Sequence, residues 1–252
     1  MTQFWTEWWR CGLISIQTNG LLGTARRCFL NSKLMSLVQQ LQVPDRPKKY
    51  GSYSGPRVAV IYGFMARRLM QRHLLHYLRS KGLSDVTMYG HLHSVDAISD
   101  DLQAVSSEGR NLVILGYSQG GFQAVKVARE LERRGVAVSL LVSIAAGGLG
   151  RVFPGRWGSD PRTVPANVDV CLNFFSCGDL LGCDRSHQTN EAVGSRASQR
   201  IENHMFHAHE GVSHIDLVRC YPEDGIKPAV RTHVIERIMA EISSLQFGRH
   251  FT

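Results

Sequence analysis

The sequence predicts an α/β fold, a mostly parallel sheet of about six strands flanked by helices. From Arg57 onward, short β-branched runs alternate with segments whose apolar residues recur at helical spacing, the rhythm of strand–helix–strand units. The run Asn111-Leu-Val-Ile-Leu-Gly-Tyr117 is almost unbroken in its apolar character, as a strand buried on both faces should be. The chain has 252 residues, 43% hydrophobic and 20% charged, which gives it enough apolar content for a substantial core. Open α/β folds reach this length as one domain.

In chain order, Val58 to Tyr62 is a β-branched strand closed by Gly63. Residues 65–81 then place Leu69, Met70, His73, Leu74, Tyr77 and Leu78 on one helical face. Asp85 to Tyr89 is a second strand, and Ser94 caps a helix over 95–107. Asn111 to Tyr117 is the third strand, with a helix over 120–134 behind it. Val136 to Ala146, Val168 to Phe175 and Ile201 to Ala208 are three more strands, and a closing helix covers 227–245. Parallel connections of this kind are right-handed.

The first 55 residues are an N-terminal amphipathic segment and linker, and residues 56–252 form the α/β domain. Phe4, Trp5, Trp8, Trp9, Leu13 and Ile16 share one side of a helix of 3.6-residue period. Two readings stay open for it, peripheral contact with a membrane surface and packing on the domain itself. Glu7 and sparse lysine favour the second. A secretory signal is not convincing: the apolar stretch from Cys11 to Ile16 is short and no positive start precedes it. The cytoplasm is therefore the default expectation. Residues 43–56 have linker composition, rich in Pro, Gly, Ser and Lys.

Net charge is +8, yet the basic residues are scattered as pairs such as Arg67-Arg68 and Arg133-Arg134, with no basic run or interleaved aromatic motif. Nucleic acid is not an expected partner. Six cysteines are too few for a disulfide scaffold, and no C-x-x-C pair is present. No apolar run reaches the ~18 residues of a spanning helix.

Gly116-Tyr117-Ser118-Gln119-Gly120 matches G-x-S-x-G where the pattern has mechanical meaning, between a strand and a helix. The chain must turn sharply there and project the Ser118 hydroxyl from the carboxyl edge of the sheet. A serine hydroxyl is a weak nucleophile at neutral pH and needs a base that a third group orients. In such an arrangement the acid and then the histidine follow the serine, each in a loop after a strand. Asp179 lies just past the strand 168–175, with Asp184 as the other acid to weigh. His214 follows the last strand, and His187 and His209 are its rivals. His204, His207 and His209 alternate, as on the polar face of a strand, and no carboxylate–histidine motif frames them as a metal site. His91 and His93 are assigned to one strand face near the same sheet edge. An oxyanion needs two preplaced N–H donors. Gln119 supplies one and Phe64 the other, with Met65 the alternative.

These residues resemble the α/β-hydrolase superfamily, over Arg57 to Leu245. The segment Cys177-Gly-Asp179-Leu-Leu-Gly-Cys183, with the serine motif, is similar to cutinases, lipid-cleaving serine esterases whose acid also lies between cysteines. That resemblance implies a Cys177–Cys183 disulfide. Two departures stand out: one residue separates Cys177 from Asp179, and the step from Asp179 to His214 is longer than in cutinases. The expectation is a serine hydrolase cleaving a small-molecule ester or lipid through an acyl-enzyme, with catalytic Ser118, Asp179 and His214, and with Gln119 and Phe64 as the oxyanion hole. It needs no cofactor and no metal. A thioester or amide suits the same residues, and a non-catalytic binding protein on the same fold is the competing class. Residues 147–167, with Phe153, Trp157, Arg151, Arg156 and Arg162, read as a loop over the sheet edge.

Overall fold

Six parallel strands form the central sheet: β1 (Arg57–Tyr62), β2 (Val86–Gly90), β3 (Leu112–Tyr117), β4 (Val138–Ile144), β6 (Val168–Ser176) and β8 (Arg200–Phe206). Two-residue strands β5 (Thr163–Val164) and β7 (Val193–Gly194) pair with each other in a separate short parallel ribbon. The computed structural model describes residues 53, 55–148, 160–184 and 186–247. The N-terminal amphipathic segment lies outside the described residues, as do Phe153, Trp157, Arg151 and Arg156.

Sheet order is β2-β1-β3-β4-β6-β8. The chain starts at an inner position, steps outward to β2, then returns past β1 and builds the rest of the sheet in the other direction. Progression therefore reverses between β1 and β3, and in open parallel sheets the crevice at such a reversal, at the carboxyl ends of the strands, is where ligands bind. Both strands that flank this crevice end on segments singled out in the sequence, Gly63-Phe64 and Ser118.

Among the described residues, four helices cover the sheet. Helix α1 (residues 67–80) contains a π-helical turn at Gln71–Leu75; α2 is Val95–Ser106 and α3 is Gln119–Arg133. Helix α4 (residues 228–247) contains a second π turn at Arg231–Glu236. The Ser94 side chain caps α2 by accepting from Ala97 N at 3.3 Å.

Period-two alternation divides the core. Val58 and Val60 face a layer with Leu74, Leu78, Val234 and Ile238 from α1 and α4. Ala59 and Ile61 face the opposite layer with Ile98, Leu102, Val127 and Leu131 from α2 and α3. Every residue of β1 and β3 is buried, which is why both strands read as continuous apolar runs. Each large apolar side chain so buried contributes about 1.5–3 kcal/mol relative to exposure.

One buried polar network interrupts this pattern. Arg57 is fully buried and donates to Asp85 at 2.9 Å, Thr87 at 2.6 Å and Tyr89 at 2.9 Å, and it also pairs with Asp101 on α2. Asp85, Thr87 and Tyr89 alternate along one face of the β2 segment, so one guanidinium ties the edge strand to β1 and α2.

Two expectations need correction. His91 and His93 lie in the turn beyond β2 rather than on a strand face. His204, His207 and His209 do not alternate on one strand: His204 is in β8, His207 caps a 3-10 turn and His209 is within it.

Candidate active site

Strand β3 ends at Tyr117 and α3 begins at Gln119, so Ser118 alone makes the turn, with φ 55° and ψ −122°. A side chain held there stores on the order of 1–3 kcal/mol of strain, which surrounding structure must offset. Ser118 N donates to Ile144 O at 2.8 Å, and Gly121 N donates to Ser118 O at 2.9 Å. The turn also needs close backbone approach. A Cβ added at Gly120 would lie 2.0 Å from Ile61 O, so α3 can sit this near β1 only without a side chain there.

The loop after β1 closes against the same turn. A Cβ at Gly63 would lie 2.9 Å from both Gln119 N and Ser118 Cβ. Phe64 therefore follows a residue in contact with the elbow, and its own side chain is about half exposed, with its ring 6.3 Å from that of His91. Met65 follows at φ 54°, a conformation that turns the chain back toward α1.

Asp179 sits in the turn after β6, 4% exposed. Its Oδ1 accepts from Leu181 N at 3.0 Å and Gly182 N at 3.1 Å, and its Oδ2 lies 2.5 Å from His214 Nδ1. Two backbone donors on one oxygen leave the other for the imidazole. The His214 loop is anchored from beneath, where buried Ser176 Oγ donates to Val212 O at 2.6 Å. Tyr117 OH donates to His214 O at 3.2 Å, and the two rings are 4.9 Å apart. The structure thus joins Asp179 to His214 directly, and joins His214 to the residue immediately ahead of Ser118.

The rival residues are engaged elsewhere. Asp184 Oδ1 accepts from Gly148 N at 3.1 Å, and its own N donates to Asn190 Oδ1 at 2.7 Å, so it braces the loop after β4. His209 stacks on His207 at 5.5 Å. The side chain of His187 lies outside the described residues. Asp216, only two residues from His214, is taken up by Ser213 Oγ at 2.6 Å and Lys227 Nζ at 2.9 Å. Arg162 turns onto Asp160 at 3.3 Å. Among the described residues no three His, Cys, Asp or Glu side chains converge as a metal site, and His204 instead stacks on His233 at 4.3 Å.

Cys177 and Cys183 are free thiols, which corrects the disulfide that the cutinase resemblance implied. Burial pushes the Cys183 thiol up to about 12. With Asp179 held by two backbone N–H groups, the acid turn keeps its shape without a covalent staple.

Sequence reasoning missed Tyr117 and Ser176 as supports of the histidine loop. Tyr117 occupies the variable position of the serine motif, and nothing local announces that its hydroxyl reaches 97 residues along the chain. A cavity of about 490 Å³ lies between β8 and α4, lined by residues including His204, His233 and Arg237; none of Ser118, Asp179 and His214 lines it.

No family model matches the chain, and no curated protein matches it. Solved structures similar to it include human thioesterase 2, at 12% identity over 75% of this chain and 97% of that one, TM-score 0.42. An α/β-hydrolase superfamily protein from Enterococcus faecalis is 12% identical over 78% and 93%, TM-score 0.46. Aspergillus fumigatus lipase B is 15% identical over 68% of this chain and 51% of that one, TM-score 0.49. At these identities and scores nothing about activity follows from the likeness.

Proposed function

We propose that the chain is an α/β-hydrolase superfamily enzyme that cleaves carboxylic esters through an acyl-enzyme on Ser118. The observation that carries this reading is the coincidence, at one sheet edge, of a serine at positive φ with a buried carboxylate bonded to an imidazole. Asp179 holds the His214 proton on Nδ1, which leaves Nε2 to exchange protons with the serine. His214 takes the hydroxyl proton as Ser118 Oγ attacks the carbonyl, then returns it to the leaving group. Gln119 N, at the start of α3, and Phe64 N, beyond the close approach at Gly63, are the donors assigned to the oxyanion. Water, deprotonated by His214, then releases the acyl group and restores Ser118. No metal or organic cofactor enters these steps. The same residues act on a thioester, because they specify the attack and not the leaving group.

The test is labelling of the full chain with a fluorophosphonate probe alongside turnover of p-nitrophenyl esters. Labelling at Ser118 and a burst of nitrophenol, both lost in Ser118→Ala, are expected. A wild-type protein that neither labels nor turns over any ester or thioester would leave a binding protein on this fold as the better reading.

A further inference from the structure

We propose that Ala145, in the loop after β4, is a positioning residue that sets the distance from the Ser118 turn to the carboxylate of Asp179. Its catalytic meaning rests on the hydrolase reading above, while the geometry that carries it is independent of any substrate.

Backbone strain marks the place. Among the described residues, three that are not glycine have positive φ: Met65 at 54°, Ser118 at 55° and Ala145 at 52°. They follow β1, β3 and β4, which are neighbours in the sheet order, so the strained positions stand side by side at its carboxyl edge. Such conformations persist only where surrounding structure enforces them, and they gather at functional sites. Ser118 is the assigned nucleophile, and Met65 turns the loop that carries Phe64. Ala145 has no part in the steps above, yet it is 1% exposed and its N donates to Phe174 O on β6 at 2.8 Å. Glycine would adopt this φ without strain, so the methyl group is what the strained conformation keeps in place.

The end of β4 reaches both halves of the site. Ile144 O accepts from Ser118 N at 2.8 Å, which fixes the main chain of the elbow. One residue later the chain leaves the strand and the Ala145 methyl meets the acid turn. A Cβ built on Gly182 would lie 2.6 Å from Ala145 Cβ and also 2.6 Å from Asp179 Oδ2. Methyl and carboxylate oxygen thus close on the same point beside Gly182, and that oxygen is the one 2.5 Å from His214 Nδ1. The next residues extend the contact. A Cβ on Gly121 of α3 would lie 2.4 Å from Ala146 Cβ, and one on Gly148 would lie 2.6 Å from Leu180 O and 2.8 Å from Cys183 O. Residues 145–148 are therefore packed against both the helix that begins after Ser118 and the acid turn. The contacts are made by main chain and methyl groups, which have no rotamers with which to yield, so a change at Ala145 is passed on to the carboxylate.

The test is Ala145→Gly in the full chain, which deletes the methyl and relieves the strain together. Turnover of a p-nitrophenyl ester is expressed per site labelled by a fluorophosphonate. The Nδ1 proton between His214 and Asp179 is followed by proton NMR, where so short a hydrogen bond resonates far downfield of the amides; its absence from His214→Ala assigns the signal. The urea midpoint should stay close to that of wild type, because released strain offsets the lost methyl burial. Yet kcat per labelled site should fall at least about fivefold with KM unchanged, since a full 1 Å misplacement costs about a hundredfold and a fraction of it costs part of that. The His214 proton should move upfield as its hydrogen bond lengthens. Wild-type kcat per site, or an unmoved proton resonance, would overturn the proposal. The two readings fail separately: a wild type that labels and turns over, with an Ala145→Gly variant identical to it, sinks the positioning role alone. A wild type that neither labels nor turns over removes the hydrolase, and a shifted resonance in the variant then still supports Ala145 as the residue that places the acid.

Discussion

The Tyr117 hydroxyl donates to the main-chain carbonyl of His214 at 3.2 Å, and the two rings lie 4.9 Å apart, tilted by 38°. The end of β3 thereby grips the loop that carries the imidazole, and the grip comes from the residue next to Ser118. Burial, with the Asp179 charge adding to it, pushes the Tyr117 phenol above its ordinary range, so the group remains a neutral donor at neutral and mildly alkaline pH.

Replacing Tyr117 by Phe keeps the ring against His214 and deletes the hydrogen bond. A net hydrogen bond is about 0.5–1.5 kcal/mol, and 1.36 kcal/mol is tenfold in rate, so kcat should fall about two- to tenfold with KM unchanged. Steady-state kinetics on one p-nitrophenyl ester, with the labelling rate beside it, measure this. A variant with wild-type kcat would mean that the histidine loop is held without Tyr117.

The strain at Ser118 has a consequence for stability. Its φ of 55° is open to glycine at no steric penalty, whereas a side chain there stores on the order of 1–3 kcal/mol. Glycine gives back roughly 0.5–1 kcal/mol through the entropy of the unfolded chain. Ser118→Gly should therefore be inactive yet as stable as wild type or up to about 2 kcal/mol more stable. Denaturant unfolding compares the two, and a clearly less stable variant would show that the serine side chain makes bonds that outweigh its strain.

Room beside the acid is equally restricted. A Cβ at Gly182 would lie 2.6 Å from Asp179 Oδ2 and 2.7 Å from Ala145 O, where there is no space for one. Gly182→Ala must move the carboxylate or the end of β4, and Gly182 N is itself a donor to Asp179. A misplacement of about 1 Å in such machinery can lower the rate about a hundredfold. The expected result is a loss of that order in kcat with the protein still folded by circular dichroism. Wild-type turnover would show that the acid turn yields without consequence.

The fold is largely legible because β1, β2 and β3 are buried throughout and β4 and β6 are mostly so, and burial on both faces writes itself into sequence as apolar runs. The ribbon of β5 and β7 is not legible: two-residue strands are too short to show a period. Arg57 stands just ahead of the apolar run that marks its strand, and only tertiary structure reveals that Asp85, Thr87, Tyr89 and Asp101 surround it. The Ser118 turn is a local feature and announces itself in five residues. Contacts such as Tyr117 to His214 and Ser176 to Val212 join distant loops through hydroxyls that no local pattern marks. The cysteines mislead because the resemblance to cutinases implies a bridge that the thiols do not form.

His204 gives a prediction about acid. Its ring is stacked on His233 at 4.3 Å and lies 4.6 Å from Phe206, and its buried Nε2 has no hydrogen-bond partner among the described residues. Burial, then the neighbouring charge of His233, lowers its pKa from the ordinary histidine value, with Glu210 opposing and His207 adding to the effect. The sign follows from linkage. In the unfolded chain the imidazole titrates near ~6.5, and in the folded protein it takes the proton only at lower pH. Stability is therefore fully present above about 6.5 and is lost as pH falls from there through the lower folded value. His73, lowered by burial and by Arg219, acts in the same direction. His204→Phe keeps an aromatic ring among Phe174, Phe206 and His233 but removes one titrating group from the folded state. Urea midpoints measured between about pH 7.5 and pH 5 should fall less steeply for the variant than for wild type. Parallel curves would mean that His204 takes its proton in the folded protein as readily as in the unfolded chain.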